Sequence, residues 1–255
     1  MKAVVVIPAR YASTRLPYKL ILPEVKSVTG RYIIEHVYQN VKQARRIHQV
    51  IVATDNQHIY EIVRGFGGNV EMTSASHVSG TDRIAEVSGR LDADLIVNVQ
   101  GDEPEMHASV VDQVIDSLVE DNVAVMATLA HVITDAAELS NPNVVKVVLD
   151  NYGYALYFSR SPIPCVRDSK DPFKEPGIRF LRHLGIYAYR RDFLLQYSKL
   201  PASPLEQAEK LEQLRALSNG YKIKVAITEY TSRGIDTRED LLAFLERYKL
   251  GKIQT

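Results

Sequence analysis

The chain has 255 residues, enough for one large α/β domain with a substantial core. Its 31 Lys and Arg residues balance 31 Asp and Glu residues, so the overall charge favours neither nucleic acid nor an anionic membrane as a partner. A single cysteine excludes an intramolecular disulfide, no apolar run reaches the roughly 18 residues that span a bilayer, and Pro8 interrupts the apolar N-terminal segment, so we expect a cytoplasmic protein.

The first predicted element is a buried strand at residues 4–7, which leads into a basic loop. The apolar run is short and does not alternate, which is typical of a central strand in a parallel sheet. Its loop then lies at the carboxyl end of the strand, where open α/β sheets bind ligands. We assign the loop to nucleotide phosphates, through Arg10, Ser13, Arg15 and Lys19. Solvated surface cations are the alternative.

Two familiar phosphate-binding motifs are absent from the sequence. No G-x-G-x-x-G follows the first strand, and no G-x-x-x-x-G-K-[ST] occurs anywhere. The stretch most similar to a glycine-rich phosphate-binding motif is Gly65-Phe66-Gly67-Gly68, which follows a helical pattern. It therefore predicts a helix end and a turn.

Strand and helix patterns alternate through the first half of the chain. Helical spacing occurs at 32–41 and 59–63, strand patterns occur at 49–55, 69–72 and 95–100, and Ser79 with Asp82 has the spacing of a capping box. Repeated β–α units with short connections predict right-handed crossovers and a doubly wound, mostly parallel sheet.

The pattern changes from residue 123 onward. Strands are predicted at 123–132, 144–150, 154–159 and 184–189, with a hairpin turn at 151–153 and an exposed connection at 161–177. A helix at 205–217, a strand at 222–229 and a last helix from Thr237 to residue 248 follow. We therefore predict one domain, with a nucleotide-binding half at 1–122, a smaller mixed-sheet lobe for sugar binding and dimerisation at 123–202, and a C-terminal return to the main sheet at 203–255.

Asp102 follows a predicted strand on a Gly-x-x-Pro turn, at the same sheet edge as Arg10 and Lys19. A carboxylate beside bound phosphates suits Mg²⁺, which prefers hard oxygen ligands. A turn-forming aspartate is the alternative. Asp92-Ala93-Asp94 also matches a D-x-D metal motif, but it precedes its strand and is predicted to lie at the opposite edge.

Eight stretches form one pattern, in order, along nearly the whole chain. They are Ile7-Pro8-Ala9-Arg10-Tyr11-Ala12-Ser13-Thr14-Arg15-Leu16-Pro17-x-Lys19, Ala53-Thr54-Asp55, Ser79-Gly80-Thr81-Asp82-Arg83, Asn98-Val99-Gln100-Gly101-Asp102-Glu103-Pro104, Lys146-Val147-Val148-Leu149-Asp150, Gly153-Tyr154-Ala155-Leu156-Tyr157-Phe158-Ser159-Arg160, His183-Leu184-Gly185-Ile186-Tyr187 and Leu211-Glu212-Gln213-Leu214-Arg215. This pattern resembles the 3-deoxy-manno-octulosonate (Kdo) cytidylyltransferase family.

The resemblance implies a nucleotide-diphospho-sugar-transferase-like fold and a homodimer. It implies that CMP is transferred from CTP to the anomeric hydroxyl of Kdo, with release of pyrophosphate and Mg²⁺ as cofactor, to activate the sugar for lipopolysaccharide synthesis. The nearest alternative is a CMP-sugar synthetase for a nine-carbon sialic acid. An alternative of another class is a nucleotide-sensing domain without catalysis.

The resemblance also assigns residues. Asp102 and Asp236 would hold Mg²⁺, with Arg10 and Lys19 catalytic, although Asp236 could simply be the N-cap of the last helix beside Thr237. The nucleotide positions would be Ser79, Gly80, Arg83 and Gln100, where helix capping is the alternative for the serine loop. The sugar positions would be Arg160, as the partner of the substrate carboxylate, with His183, Tyr187, Glu212 and Gln213. Each sugar position also has an ordinary structural explanation.

The chain departs from the family beside Lys19. The family usually has Gly-Lys-Pro after the loop proline, whereas this chain has Tyr18-Lys19-Leu20. It also has Thr29-Gly30-Arg31-Tyr32-Ile33 where the family carries Gly-Lys-Pro-Met-Ile. Tyr18 lacks the easy access of glycine to positive φ, and Leu20 lacks the rigidity of proline. We therefore expect the structure of the loop to differ here.

Overall fold

The computed structural model describes residues 1–11, 15–77, 79–169, 171–231 and 233–253. These residues form the strands β1 (Ala3–Ala9), β2 (Ile47–Thr54), β3 (Asn69–Met72), β4 (Leu95–Asn98), β5 (Met126–Val132), β6 (Lys146–Leu149), β7 (Ala155–Ser159), β8 (Leu181–Arg190) and β9 (Ile223–Ile227). They also form the helices α1 (Pro23–Thr29), α2 (Ile33–Val41), α3 (Gln57–Gly65), α4 (Gly80–Ser88), α5 (Ala108–Val119), α6 (Ala136–Ser140), α7 (Arg191–Tyr197), α8 (Pro204–Glu209), α9 (Leu214–Ser218) and α10 (Arg238–Lys249). Short 3₁₀ helices lie at Lys19–Ile21 and Pro172–Lys174.

All of these strands belong to one sheet, whose main order is β3-β2-β1-β4-β8-β5-β9. β1 pairs in parallel with β2 and β4, β2 with β3, and β5 with β9. β8 is antiparallel to β4 and β5, and the β6–β7 hairpin joins the sheet where β6 pairs with β8. The predicted α/β fold, with a mostly parallel sheet and a mixed region, is confirmed.

The first strand is buried on both faces, which explains its unbroken apolar run. Val5 and Ile7 pack in the core that lies under α2, α5 and α10. Val4 and Val6 pack in a second core, under α4 and α7. Burial of each such side chain contributes about 1.5–3 kcal/mol. Helices therefore cover both faces, and the carboxyl ends of β1 and β4 open at one edge of the sheet.

Helix caps follow the predicted signals. Ser79 accepts a hydrogen bond from the N–H of Asp82, and the side chain of Asp82 accepts one from the N–H of Ser79. Thr237 and Asp240 form the same reciprocal cap at the start of α10. Gly67 has φ +77° just beyond α3, as expected for the turn that ends this helix.

The single helix predicted at 205–217 is wrong, because the chain breaks into α8 and α9. Lys210 has φ 56°, and its N–H and that of Leu211 both donate to the carbonyl of Glu206. This left-handed residue ends α8. The apolar spacing continues across the break, so periodicity alone could not reveal it.

Among the helices of the described residues, none has both the length and the apolar character needed to cross a membrane.

Candidate active site

Two neighbouring cavities lie at the carboxyl edge of the parallel strands. The first has a volume of about 420 Å³ and is lined by Pro8, Arg10, Arg15, Lys19, Leu20, Gly80, Gln100, Gly101, Asp102 and Asp236. The second has a volume of about 220 Å³ and shares Gly80 and Gln100 with the first. The arrangement places a strongly charged cavity directly beside a smaller one with aromatic walls.

Lys19 joins the two predicted metal-binding carboxylates. Its Nζ lies 2.5 Å from Oδ2 of Asp102 and 2.8 Å from Oδ1 of Asp236, which are 83 and 217 positions away in sequence. Burial alone would lower the pKa of Lys19, but the two carboxylates outweigh it and hold this pKa above its ordinary value. The lysine therefore stays charged and keeps both carboxylates facing one point.

The backbone holds these carboxylates in place. Asp102 follows Gly101, where an added Cβ would lie only 3.1 Å from the carbonyl oxygen of Pro8, so the turn packs closely on the end of β1. The N–H of Ile235 donates to the carbonyl of Asp102 at 2.9 Å, which ties the segment before α10 to this turn. Because Thr237 is the N-cap of α10, the carboxylate of Asp236 is left to the cavity.

The pair of carboxylates fits a divalent cation such as Mg²⁺. Their oxygens already converge on one cation, the ammonium of Lys19. Within the described residues, no group of three or more His, Cys, Asp or Glu side chains is arranged as a metal site. A metal held here would complete its coordination with phosphate and water oxygens, which is the usual behaviour of Mg²⁺.

The remaining loop cations surround this pair. Arg10 lines the first cavity, and the guanidinium of Arg15 lies 3.0 Å from Oδ2 of Asp236. Ser13 lies outside the described residues. The described cations therefore face the cavity from the side where the first strand ends.

Tyr18 adopts the left-handed conformation, which is easily accessible to the glycine that the family usually has at this position but not to a tyrosine. Its φ is 58°, which costs a residue with a Cβ roughly 1–2 kcal/mol relative to ordinary backbone. Its carbonyl accepts a hydrogen bond from the N–H of Ile21, and its ring packs against Tyr11 with centroids 4.4 Å apart. The surrounding fold thus imposes positive φ here without a glycine.

The serine loop reaches both cavities, but Arg83 lies beneath them. Gly80 lines each cavity, and Ser79 caps α4 as described. Arg83 is fully buried and donates hydrogen bonds to Thr73 and, at 2.6 Å, to Asp55. It therefore anchors the segments after β2 and β3 under the start of α4, and it is not among the residues that line either cavity.

The second cavity collects three of the five predicted sugar residues. Tyr187, Glu212 and Gln213 line it, and the buried Nε2 of Gln213 has no hydrogen-bond partner among the described residues. It is also lined by Thr81, Asn98, Tyr189, Tyr197, Lys210 and Leu211, which sequence reasoning did not assign. The alternation of Tyr187 and Tyr189 along β8 could have signalled a shared face.

Arg160 and His183 are not among the residues that line this cavity. Arg160 donates from Nε to the carbonyl of Glu209 at 2.7 Å and from its guanidinium to the carbonyl of Pro142 at 3.0 Å. His183 lies 3.0 Å from Oγ1 of Thr128, and burial lowers its pKa to about 3, with the charge of Arg182 adding to the effect. The ring of His183 packs beside that of Tyr187, with centroids 5.2 Å apart.

The D-x-D stretch lies at the opposite edge of the sheet, as predicted. Asp94 accepts a hydrogen bond from the backbone N–H of Lys2 at 2.6 Å, and Asp92 pairs with the side chain of Lys2. These carboxylates bind Lys2, directly before β1, and do not line either cavity.

Comparisons with known proteins agree with this geometry. The family model for Cytidylyltransferase matches residues 4–223. Two relatives named 3-deoxy-manno-octulosonate cytidylyltransferase are each 49% identical to this chain. The match to the Geotalea daltonii protein covers 98% of this chain and 99% of that protein. The match to the Geobacter metallireducens protein covers 100% of both chains. A solved structure of CMP:2-keto-3-deoxy-manno-octonic acid synthetase complexed with CTP matches with a TM-score of 0.90 and 42% identity, covering 98% of this chain and 100% of that one. The chain belongs to the 3-deoxy-manno-octulosonate cytidylyltransferase family.

Proposed function

We propose that the protein transfers CMP from CTP to the anomeric hydroxyl of Kdo, releases pyrophosphate, and so supplies an activated sugar for lipopolysaccharide synthesis. The observation that carries this proposal is the meeting of Asp102, Asp236 and Lys19 in a basic cavity that opens onto an aromatic one. The relatives and the solved CTP complex support the choice of nucleotide and sugar.

The charged cavity takes the triphosphate. Arg10, Arg15 and Lys19 bind the outer phosphates and stabilise the negative charge that grows on pyrophosphate as it leaves. Asp102 and Asp236 would hold Mg²⁺, which when bound would supply positive charge to the phosphate oxygens and favour ionisation of the attacking hydroxyl.

The aromatic cavity takes the sugar. Gln213 offers an amide donor that has no partner among the described residues, Glu212 offers a carboxylate acceptor, and Tyr187 forms a wall. Because Gly80 and Gln100 line both cavities, the sugar hydroxyl is held close to the α-phosphorus. The hydroxyl oxygen bonds to phosphorus, the bond to the bridging oxygen breaks, pyrophosphate keeps that electron pair, and the hydroxyl proton passes to solvent.

Residues outside the cavities shape them. Arg160 fixes the carbonyl of Glu209 next to the segment that carries Glu212, and His183 supports the ring of Tyr187. Arg83 anchors the floor under the serine loop through Asp55. These residues act on the substrates through their neighbours.

We further propose a homodimer that works in the cytoplasm. β7 pairs only with β6 in the described sheet and exposes 61% of Leu156, so this edge offers an apolar surface to a second copy. The exposed free thiol of Cys165 suits a reducing compartment.

Pyrophosphate release tests the proposed reaction. Purified protein with CTP and Mg²⁺ is offered Kdo, its 8-amino analogue, a nine-carbon sialic acid, or no sugar. We expect release with Kdo and none without sugar. Release with the sialic acid alone would contradict the sugar assignment, whereas CTP binding without release for any sugar would indicate a nucleotide-sensing domain.

A further inference from the structure

Thr81 connects the serine loop to the sugar cavity. It lies in the first turn of α4, directly after Gly80, and it is almost completely buried. Its hydroxyl donates to Oε2 of Glu212 at 2.6 Å, across 131 positions of sequence. Ser88 at the other end of α4 instead donates to the carbonyl of Ile84 in its own helix. The hydroxyl of Thr81 is thus engaged with a cavity residue, whereas that of Ser88 is engaged with the helix.

Glu212 is fixed at two points. Thr81 holds one carboxylate oxygen, and the hydroxyl of Tyr197 donates to the backbone carbonyl of Glu212 at 2.5 Å. Tyr197 is itself buried and packs beneath the guanidinium of Arg215, which pairs with Glu206 in α8. The backbone of the turn between α8 and α9 is therefore held by Tyr197, while the hydroxyl of Thr81 in α4 orients the carboxylate of Glu212.

The chemistry of the cavity explains why this orientation matters. Among the described residues, none donates a hydrogen bond to Oε1 of Glu212, although Glu212 lines the cavity. A carboxylate would repel the carboxylate of a sugar acid but accept hydrogen bonds from its hydroxyls. An Oε1 that is already held in place can accept a hydrogen bond from a sugar hydroxyl at one position. A freely rotating carboxylate would have to lose rotational freedom when the sugar binds, which weakens binding.

We propose that Thr81 is a positioning residue for the sugar substrate, acting through the carboxylate of Glu212. This inference rests on the proposed function. The donor sits one residue from Gly80, which lines both cavities. The role is distinct from cytosine or phosphate binding, because the hydroxyl of Thr81 is directed to Glu212.

Steady-state kinetics with two matched variants test this role. Thr81→Val removes the hydroxyl at nearly constant volume, and Thr81→Ser retains it. Because a hydrogen bond to a charged group is lost, KM for the sugar should rise about 10-fold to 100-fold in Thr81→Val, while Thr81→Ser stays within about 3-fold of the parent. CTP affinity measured by calorimetry without sugar should change by less than about 2-fold in both variants. Ser88→Ala, which removes a hydroxyl elsewhere in α4, should leave both constants near parental values.

A double-mutant cycle with Glu212→Gln separates positioning from a general structural effect. If Thr81 acts through Glu212, adding Thr81→Val to Glu212→Gln should raise KM by less than about 3-fold further. Additive losses, an unchanged sugar KM in Thr81→Val, or equal losses for CTP and sugar would each overturn the inference. A parent protein that releases no pyrophosphate with any ulosonic acid would overturn the proposed function, and the inference with it.

Discussion

His36 is buried where α1, α2 and α10 meet, and this position should make the fold sensitive to acid. Its side chain is 1% exposed, its Nε2 lies 2.8 Å from Oγ1 of Thr29, and its Nδ1 has no partner among the described residues. The rings of Phe244 and Tyr248 pack edge-on against it. A proton on this imidazole would place a charge among apolar rings, so the folded protein favours the neutral form.

The size of this acid-induced loss of stability follows from the pKa of His36 in the folded protein and in the unfolded chain. Burial lowers the pKa of His36 from 6.5 to about 4, and the charge of Arg31 adds to the effect. The unfolded chain therefore binds more protons than the folded protein between these values, and stability is lost as pH falls through this window. Lowering pH from about 7.5 to about 5 should remove about 2 kcal/mol of unfolding free energy, and the full effect below about pH 4 should reach about 3 kcal/mol.

Urea unfolding at the two pH values measures this loss. His36→Gln can still hydrogen-bond to Thr29 but cannot be protonated, so its stability should depend on pH less steeply than that of the parent, by about 2 kcal/mol over the same interval. His58→Gln, at an exposed position of α3, is the matched control and should keep the parental dependence. A parental pH dependence in His36→Gln would refute the assignment.

Three further predictions concern the site. Asp102→Asn should keep the fold but slow pyrophosphate release by at least about 100-fold, because one carboxylate of the metal site is lost. Asp92→Asn at the opposite sheet edge should leave the rate unchanged, and similar rates for the two variants would contradict the metal assignment. Arg15→Ala should weaken CTP more than CMP in calorimetry, since this cation is assigned to the outer phosphates; equal losses would place it elsewhere. Arg160→Lys should raise KM for the sugar with CTP affinity unchanged, because a lysine cannot hold both backbone carbonyls as the arginine does. A loss confined to CTP affinity would assign Arg160 to the nucleotide cavity.

The parts of the fold that depend on local signals could be predicted. The unbroken apolar run of β1 indicated a strand covered on both faces, and the Ser79–Asp82 spacing indicated a helix start. Asp92 precedes β4 and Asp102 follows the same strand, and these positions were enough to assign the two residues to opposite edges of the sheet. In each case the information lies within a few residues of the feature.

Long-range pairings could not be predicted from such signals. Nothing near β8 indicates that it inserts antiparallel between β4 and β5, and nothing near Thr81 indicates Glu212 as its partner. The apolar spacing at 110–118 does favour α5, which our sequence analysis did not assign. The environment of an arginine side chain is the hardest feature to predict from sequence. Arg83 and Arg160 could each have faced solvent, substrate or buried protein, and only tertiary contacts decide among these.

The exposed ring of Tyr18 offers an optical signal for events in the phosphate loop. The chain contains no tryptophan, so Tyr18→Trp would introduce a single tryptophan next to the lysine that binds both aspartates, and its emission can be excited apart from that of the tyrosines. The side chain is 49% exposed and its backbone already tolerates the left-handed conformation with a bulky aromatic ring. Changes in emission could then be followed by stopped flow, which would time the arrival of CTP at the loop in the absence of sugar.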